Sequence, residues 1–229
     1  MGVSATPLSF PHTTRPPVRQ EPTDFWAWQI MQQQKNISAV PVTNEDGTLY
    51  GMLSREDVAS YNMGLVYSGV LDAVPLFNVL SVLEGKVLNE AGESIDMIEG
   101  EISIALPQQR ENLLFNRKKS IVLVGNQPDM VKRALDMNVN CLVICQAELP
   151  EEFRDYPTET CIISTPFDAY RAARLIFQST PVERICRTND LVCFHLDDRL
   201  DDVTEQVLKY REHCYPILDG DEKVVGILT

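Results

Sequence analysis

Apolar positions along the chain follow two rhythms. In FWAWQIMQQQ (25–34) and LDDVTEQVLKYREH (200–213) they recur every three or four residues, the spacing of one buried helix face. Candidate N-caps stand ahead of both, Thr23 or Asp24 for the first and Asp197 or Asp198 for the second. Each predicted helix is followed by a short apolar strand, AVPV (39–42) or CYPIL (214–218), and a polar turn, NEDG (44–47) or DGDE (219–222). A second strand then returns, LYGMLS (49–54) or VVGILT (224–229). In the first case the chain continues into a helix over REDVASYNM (55–63).

These stretches are two copies of one repeat. ISAVPVTNEDGTLYGMLS (37–54) aligns without gaps on EHCYPILDGDEKVVGILT (212–229), which sets Pro41 on Pro216, Asp46 on Asp221, Gly51 on Gly226 and Ser54 on Thr229. At the same offset Phe25 falls on Leu200 and Trp28 on Val203. The unit reads β-α-β-β-α. The second copy stops at Thr229, short of a residue matching Asp57 and of the closing helix, so the chain is expected to be a piece of a longer protein.

Between the copies the rhythm changes. Helices are predicted over 75–85, 127–139, 148–156 and 166–179, and strands over 101–106, 120–125, 141–145 and 161–165. Strands alternating with helices predict parallel βαβ units, a compact α/β domain inserted into the repeat. STPVERI (179–185) is the linker into the second copy.

Charge narrows the function classes. The 229 residues carry a formal net charge of −13. A surface this acidic repels phosphodiester backbones and anionic lipid, so neither nucleic acid nor membrane is an expected partner, whereas a small phosphorylated ligand needs only a few local donors. No apolar run is long enough to span a bilayer and no secretory signal is recognisable. The six cysteines include no C-x-x-C pair, and several lie in apolar runs such as CLVIC, where Cys packs as a small hydrophobe. Free thiols in a reducing cytoplasm are expected. His12, His195 and His213 share no metal-ligand spacing, and no phosphate-loop or nucleophile-elbow motif is present. An enzyme confined to the inserted domain would lack a matched nucleophile and base.

The repeat resembles the CBS domain, through Val40-Pro41-Val42 followed by Gly51-Met52-Leu53-Ser54-Arg55-Glu56-Asp57, and through Tyr215-Pro216-Ile217 followed by Gly226-Ile227-Leu228-Thr229. The insert resembles the DRTGG domain, through GNQPDMVKRALDMNVNCLVIC and STPFDAYRAARLIFQSTPV. It departs from that pattern at Asn126-Gln127 and at Cys145-Gln146-Ala147. A CBS pair split in this way is similar to the regulatory insert of family II inorganic pyrophosphatases.

The resemblance implies an α/β fold, in which two split β-α-β-β-α CBS units (3–66 and 181–229) form a Bateman-type module around a parallel α/β DRTGG domain (67–180). It further implies a homodimer, AMP and ADP as inhibitors, ATP or diadenosine polyphosphates such as diadenosine tetraphosphate as activators, and manganese in an attached catalytic domain that hydrolyses diphosphate. The fragment itself would be non-catalytic. A nucleotide-sensing module of another regulator, fused to a DNA-binding or acyl-handling domain, is the alternative.

Nucleotide binding would draw on particular residues. Asp57 follows Ser54 by three, so carboxylate and hydroxyl face one groove at a helix start, the one suited to ribose hydroxyls and the other to a phosphate. The same pair reads equally as a helix cap. Arg211 and His213 lead into the second copy's Tyr215-Pro216-Ile217, which Tyr215 opens; the resemblance places Tyr215 and its neighbour at a phosphate, and the competing reading is a basic helix end. The resemblance adds Val18, on a first strand formed from PHTTRPPV (11–18), as well as Val40, Pro41, Pro216 and Thr229. The acidic run Asp197, Asp198, Asp201, Asp202 and Glu205 reads as helix-start charge rather than a cation site.

Overall fold

The protein is described here from a computed structural model, which covers the backbone of residues 18–19 and all of residues 23, 27, 29–31, 37–105, 119–212 and 214–229. The chain divides into two compact units, residues 1–60 with 181–229, and residues 61–180.

In the first unit each copy of the repeat builds a three-stranded sheet of the same design. β1 (Val18–Arg19) lies parallel to β2 (Ala39–Thr43), which turns back antiparallel into β3 (Leu49–Ser54). In the second copy β10 (Phe194–His195) lies parallel to β11 (Tyr215–Leu218), which is antiparallel to β12 (Val224–Leu228). The registers coincide as well. Pro41 faces Met52 and Val42 faces Gly51, just as Pro216 faces Ile227 and Ile217 faces Gly226. Both hairpins slip register at the next step, between Val42 and Thr43 and between Ile217 and Leu218. Proline cannot donate to a ladder. In keeping with this, among the described residues the parallel pairs in both copies fall on the residues after the proline, Val42 and Thr43 in the first and Ile217 and Leu218 in the second.

Each sheet buries one face under a helix. Ala27 and Met31, both in helical backbone, pack with Ile37, Val40, Val42, Leu53 and Val58. In the second copy Val203 of α6 (Leu200–Tyr210) closes on Phe194 and Tyr215. The predicted caps Asp197 and Asp198 do not hold this helix, whose N-cap is Arg199. Asp198 instead accepts the His195 N–H at 2.7 Å and closes the preceding turn. Asp24, Phe25, Trp26 and Trp28 lie outside the described residues, and Thr23 is buried in a bridge to Pro181. The two hairpin turns meet each other: Val224 N–H donates to the Gly47 carbonyl at 3.1 Å and Leu49 N–H to that of Glu222 at 3.4 Å.

The second unit is one six-stranded sheet in the order β4-β6-β7-β8-β9-β5. Its centre is parallel: β6 (Met97–Ile104), β7 (Ser120–Val124), β8 (Cys141–Cys145) and β9 (Cys161–Thr165). β7 and β8 are buried at every residue, which is why they read as unbroken apolar runs. Helices α4 (Pro128–Asp136) and α5 (Ala169–Phe177) cover the sheet with their apolar faces. The fully parallel expectation fails at both edges, where β4 (Val70–Pro75) and β5 (Lys86–Val87) run antiparallel to their neighbours. The helix predicted over 148–156 shrinks to one 3₁₀ turn, Glu151–Phe153, which lies between Pro150 and Pro157.

Candidate functional site

Ser54 ends β3 and opens α1 (Arg55–Ser68). Its Oγ accepts the Asp57 N–H at 3.0 Å, while Asp57 Oδ2 accepts from the Ser54 N–H at 2.8 Å and from its hydroxyl at 2.7 Å. This reciprocal arrangement satisfies donors that a helix start leaves orphaned. It spends one carboxylate oxygen; Asp57 Oδ1 has no hydrogen-bond partner among the described residues.

Beside this cap lies a cleft of about 170 Å³ within the first unit, lined from both copies of the repeat. The first copy supplies Ser38, Ala39, Met52, Ser54, Glu56 and Asp57. The second supplies Glu212 and Cys214, and Arg187 comes from the segment leading into it. Ala39 and Cys214 occupy matching positions of the repeat, so the cleft straddles the internal pseudosymmetry.

Arg187 is fixed by its backbone. Its N–H donates to the Met52 carbonyl at 2.8 Å and its carbonyl accepts the Met52 N–H at 2.9 Å. The approach depends on Gly51: a Cβ there would lie 2.8 Å from the Arg187 carbonyl oxygen and 3.0 Å from Cys186 Sγ. At the matching Gly226 the nearest atom would be 3.9 Å away. The side chain lines the cleft, and its Nη1 pairs with Glu212 Oε1, also in the lining, at 2.9 Å. Glu212 is held in turn by Tyr215, whose hydroxyl accepts the Glu212 N–H at 2.8 Å and donates to the Val207 carbonyl at 3.4 Å.

Among the described residues the lining is acidic, with three carboxylates, Glu56, Asp57 and Glu212, against one guanidinium. The thiols nearby are uncharged at neutral pH. Burial pushes Cys214 up to about 11. Burial, with smaller contributions from Glu183 and Asp57, does the same to Cys186. Among the described residues no group of three His, Cys, Asp or Glu could hold a metal ion.

The structure therefore assembles part of the residue set read from the sequence. Ser54 and Asp57 line the cleft; Val40 and Pro41 are buried in the strand that carries its floor. Arg211 is exposed, adopts a left-handed backbone at the C-terminus of α6 and does not line the cleft. Tyr215 is core, its ring 5.2 Å from Phe194, and its hydroxyl is tied to backbone. Pro216 is buried opposite Ile227, and Thr229 is exposed beyond β12. His213 and the side chain of Val18 lie outside the described residues. Arg187, Glu212 and Cys214 escaped the sequence reading. Reflecting Ala39 through the repeat would have found Cys214, but no local signal marks Arg187.

Comparison with known proteins gives this architecture its class. The CBS domain model matches residues 25–64 and 182–229, and the DRTGG domain model matches residues 78–179. The chain is a CBS pair interrupted by a DRTGG domain. It is 28% identical over 218 residues to the cobalt-dependent inorganic pyrophosphatase of Clostridium perfringens (strain 13 / Type A), a match covering 93% of this chain and 39% of that protein's length. It also matches the crystal structure of the CBS and DRTGG domains of the regulatory region of Clostridium perfringens pyrophosphatase, complexed with the activator diadenosine tetraphosphate. That likeness has a TM-score of 0.77 at 26% identity and covers 96% of this chain and 97% of the other. The relative is named for cobalt, whereas the family resemblance implied manganese. Among the described residues, no helix is long and apolar enough to cross a membrane.

Proposed function

We propose that this chain is the adenine-nucleotide-sensing region of an inorganic pyrophosphatase, and that the nucleotide sits in the cleft beside Ser54 and Asp57. The observation that carries the reading is Asp57: its Oδ2 is spent on the helix cap while Oδ1 is left for ribose hydroxyls, at a cleft that also offers a guanidinium. The likeness to a regulatory region complexed with diadenosine tetraphosphate supports the ligand class.

In this reading AMP and ADP inhibit and ATP or diadenosine tetraphosphate activates. Opposite effects require that the ligands favour different arrangements of the CBS pair, which bias attached catalytic domains by population shift. Those domains lie outside this chain; their metal is cobalt or manganese, and the relative's name favours cobalt. The assembly is a cytoplasmic homodimer that engages neither nucleic acid nor membrane, in keeping with the net charge of −13. The domains run 3–66, 67–180 and 181–229, and the division into compact units between residues 180 and 181 supports the later boundary.

Thermal unfolding with AMP, ADP, ATP and diadenosine tetraphosphate tests this. A ligand at a hundredfold over its Kd adds about 2.7 kcal/mol, a rise of roughly 5–10 °C for a chain of this size. Asp57→Ala should abolish the rise. No shift with any of the four ligands would sink the proposal.

A further inference from the structure

Arg187 and Glu212 come from segments far apart in sequence, and each is fixed by its main chain. Arg187 is held by two backbone hydrogen bonds to Met52, and Glu212 by the Tyr215 hydroxyl on its N–H. Only their side chains are free to move, and these pair with each other in the lining of the cleft at 2.9 Å. The pair is also half open to water, with side-chain exposures of 46% and 36%. An ion pair so exposed is worth little and exchanges partners readily. Among the described residues Arg187 is the one cationic side chain in the lining, which also holds Glu56, Asp57 and Glu212. Among the described residues it is the one side-chain cation an anionic ligand meets in the cleft, and Glu212 already occupies it.

Resting on the nucleotide reading above, we propose that Glu212 is a displaceable counter-ion, a residue that sets how strongly the site prefers a phosphorylated ligand over its nucleoside. A bound phosphate takes the place of the Glu212 carboxylate on the Arg187 guanidinium, which can fork to two oxygens. Glu212 then turns to solvent, and its backbone stays pinned by Tyr215. The affinity for phosphate is reduced by the pair that must first be broken. A ligand without phosphate leaves the pair intact.

Calorimetric titration of the 229-residue chain with AMP and with adenosine separates the two ideas. Glu212→Gln should tighten AMP roughly two- to fivefold, the range an exposed ion pair commands, and leave adenosine unchanged. Arg187→Gln should weaken AMP alone, and the gain from Glu212→Gln should vanish in that background. If Glu212→Gln weakens AMP, shifts adenosine equally, or keeps its full gain without Arg187, the counter-ion role is overturned while the nucleotide site stands. If the unaltered chain binds neither AMP nor adenosine, the nucleotide reading falls and this inference falls with it.

Discussion

Ser54 and Asp57 grip each other through three hydrogen bonds of 2.7, 2.8 and 3.0 Å, so one side-chain pair both starts a helix and borders the cleft. The two roles make different demands and can be measured apart. Without any ligand, Asp57→Ala removes the reciprocal cap and should cost about 1 kcal/mol. That corresponds to roughly 2–4 °C in Tm for a chain of this size. Scanning calorimetry on the ligand-free variant checks it; an unchanged Tm would mean that the cap contributes nothing and Asp57 is spared for binding.

Gly51 and Gly226 hold the same place in the two copies but not the same surroundings. Gly51→Ala drives a methyl against the Arg187 carbonyl at 2.8 Å and should cost about 1–3 kcal/mol. Gly226→Ala meets its nearest atom at 3.9 Å and should be neutral or mildly stabilising, since it removes unfolded-state freedom. Urea melts of the two variants should separate cleanly, and equal losses would contradict the described approach of the linker to β3.

Tyr215 offers a direct contrast between a structural and a ligand-contacting hydroxyl. Tyr215→Phe leaves the Glu212 N–H without its acceptor, at a cost of about 1 kcal/mol, and leaves the ring on Phe194 undisturbed. Chemical denaturation should register the loss even with no nucleotide present. Stability unchanged beside a large fall in AMP affinity would support the phosphate-contact role that the family resemblance implies.

The cysteines carry a pH signature. Burial raises Cys145 to about 12 and Cys186 and Cys214 to about 11, against an ordinary value of 9.0. A raised value in the folded state means that stability is fully present below about pH 9. It is lost as pH climbs toward 11 and 12, because the unfolded chain ionises first. Urea melts should therefore show no thiol-dependent slope from pH 6 to 8 and a decline above pH 9. Alkylation of the half-buried Cys186 should be slow at pH 7 and rise about tenfold per pH unit. Rapid labelling at neutral pH would refute its burial.

The repeat was legible because it is a matter of spacing, and spacing survives folding: the bulges after Val42 and Ile217 recur at matching positions. β7 and β8 were legible because strands covered on both faces need no polar alternation. Val70–Pro75 was missed because Asp72, Ala73 and Pro75 dilute its apolar signal, and only an edge position tolerates them. Phe194–His195 is too short to carry any pattern. At the site, Ser54 and Asp57 could be found because they are local to one helix turn. Arg187 and Glu212 could not, because their meeting depends on the linker crossing Gly51. Tyr215 could be read two ways because a tyrosine hydroxyl serves a ligand or a helix end equally well, and only its neighbours, the Glu212 N–H and the Val207 carbonyl, show the second use.

The meeting of the two hairpin turns also fixes an order of events during synthesis. The bond from Val224 N–H to the Gly47 carbonyl cannot form until everything from 61 to 180 has been made. Entropically the long interruption is cheap, since each doubling of a loop costs only about 0.6 kcal/mol. In time it is expensive. The first half-module is translated before the inserted unit and must wait, its partner edge unmet, while the continuous inserted unit can complete its own sheet. The segment carrying Ser54 and Asp57 is thus made before the inserted unit, and the cleft it borders is completed only after it.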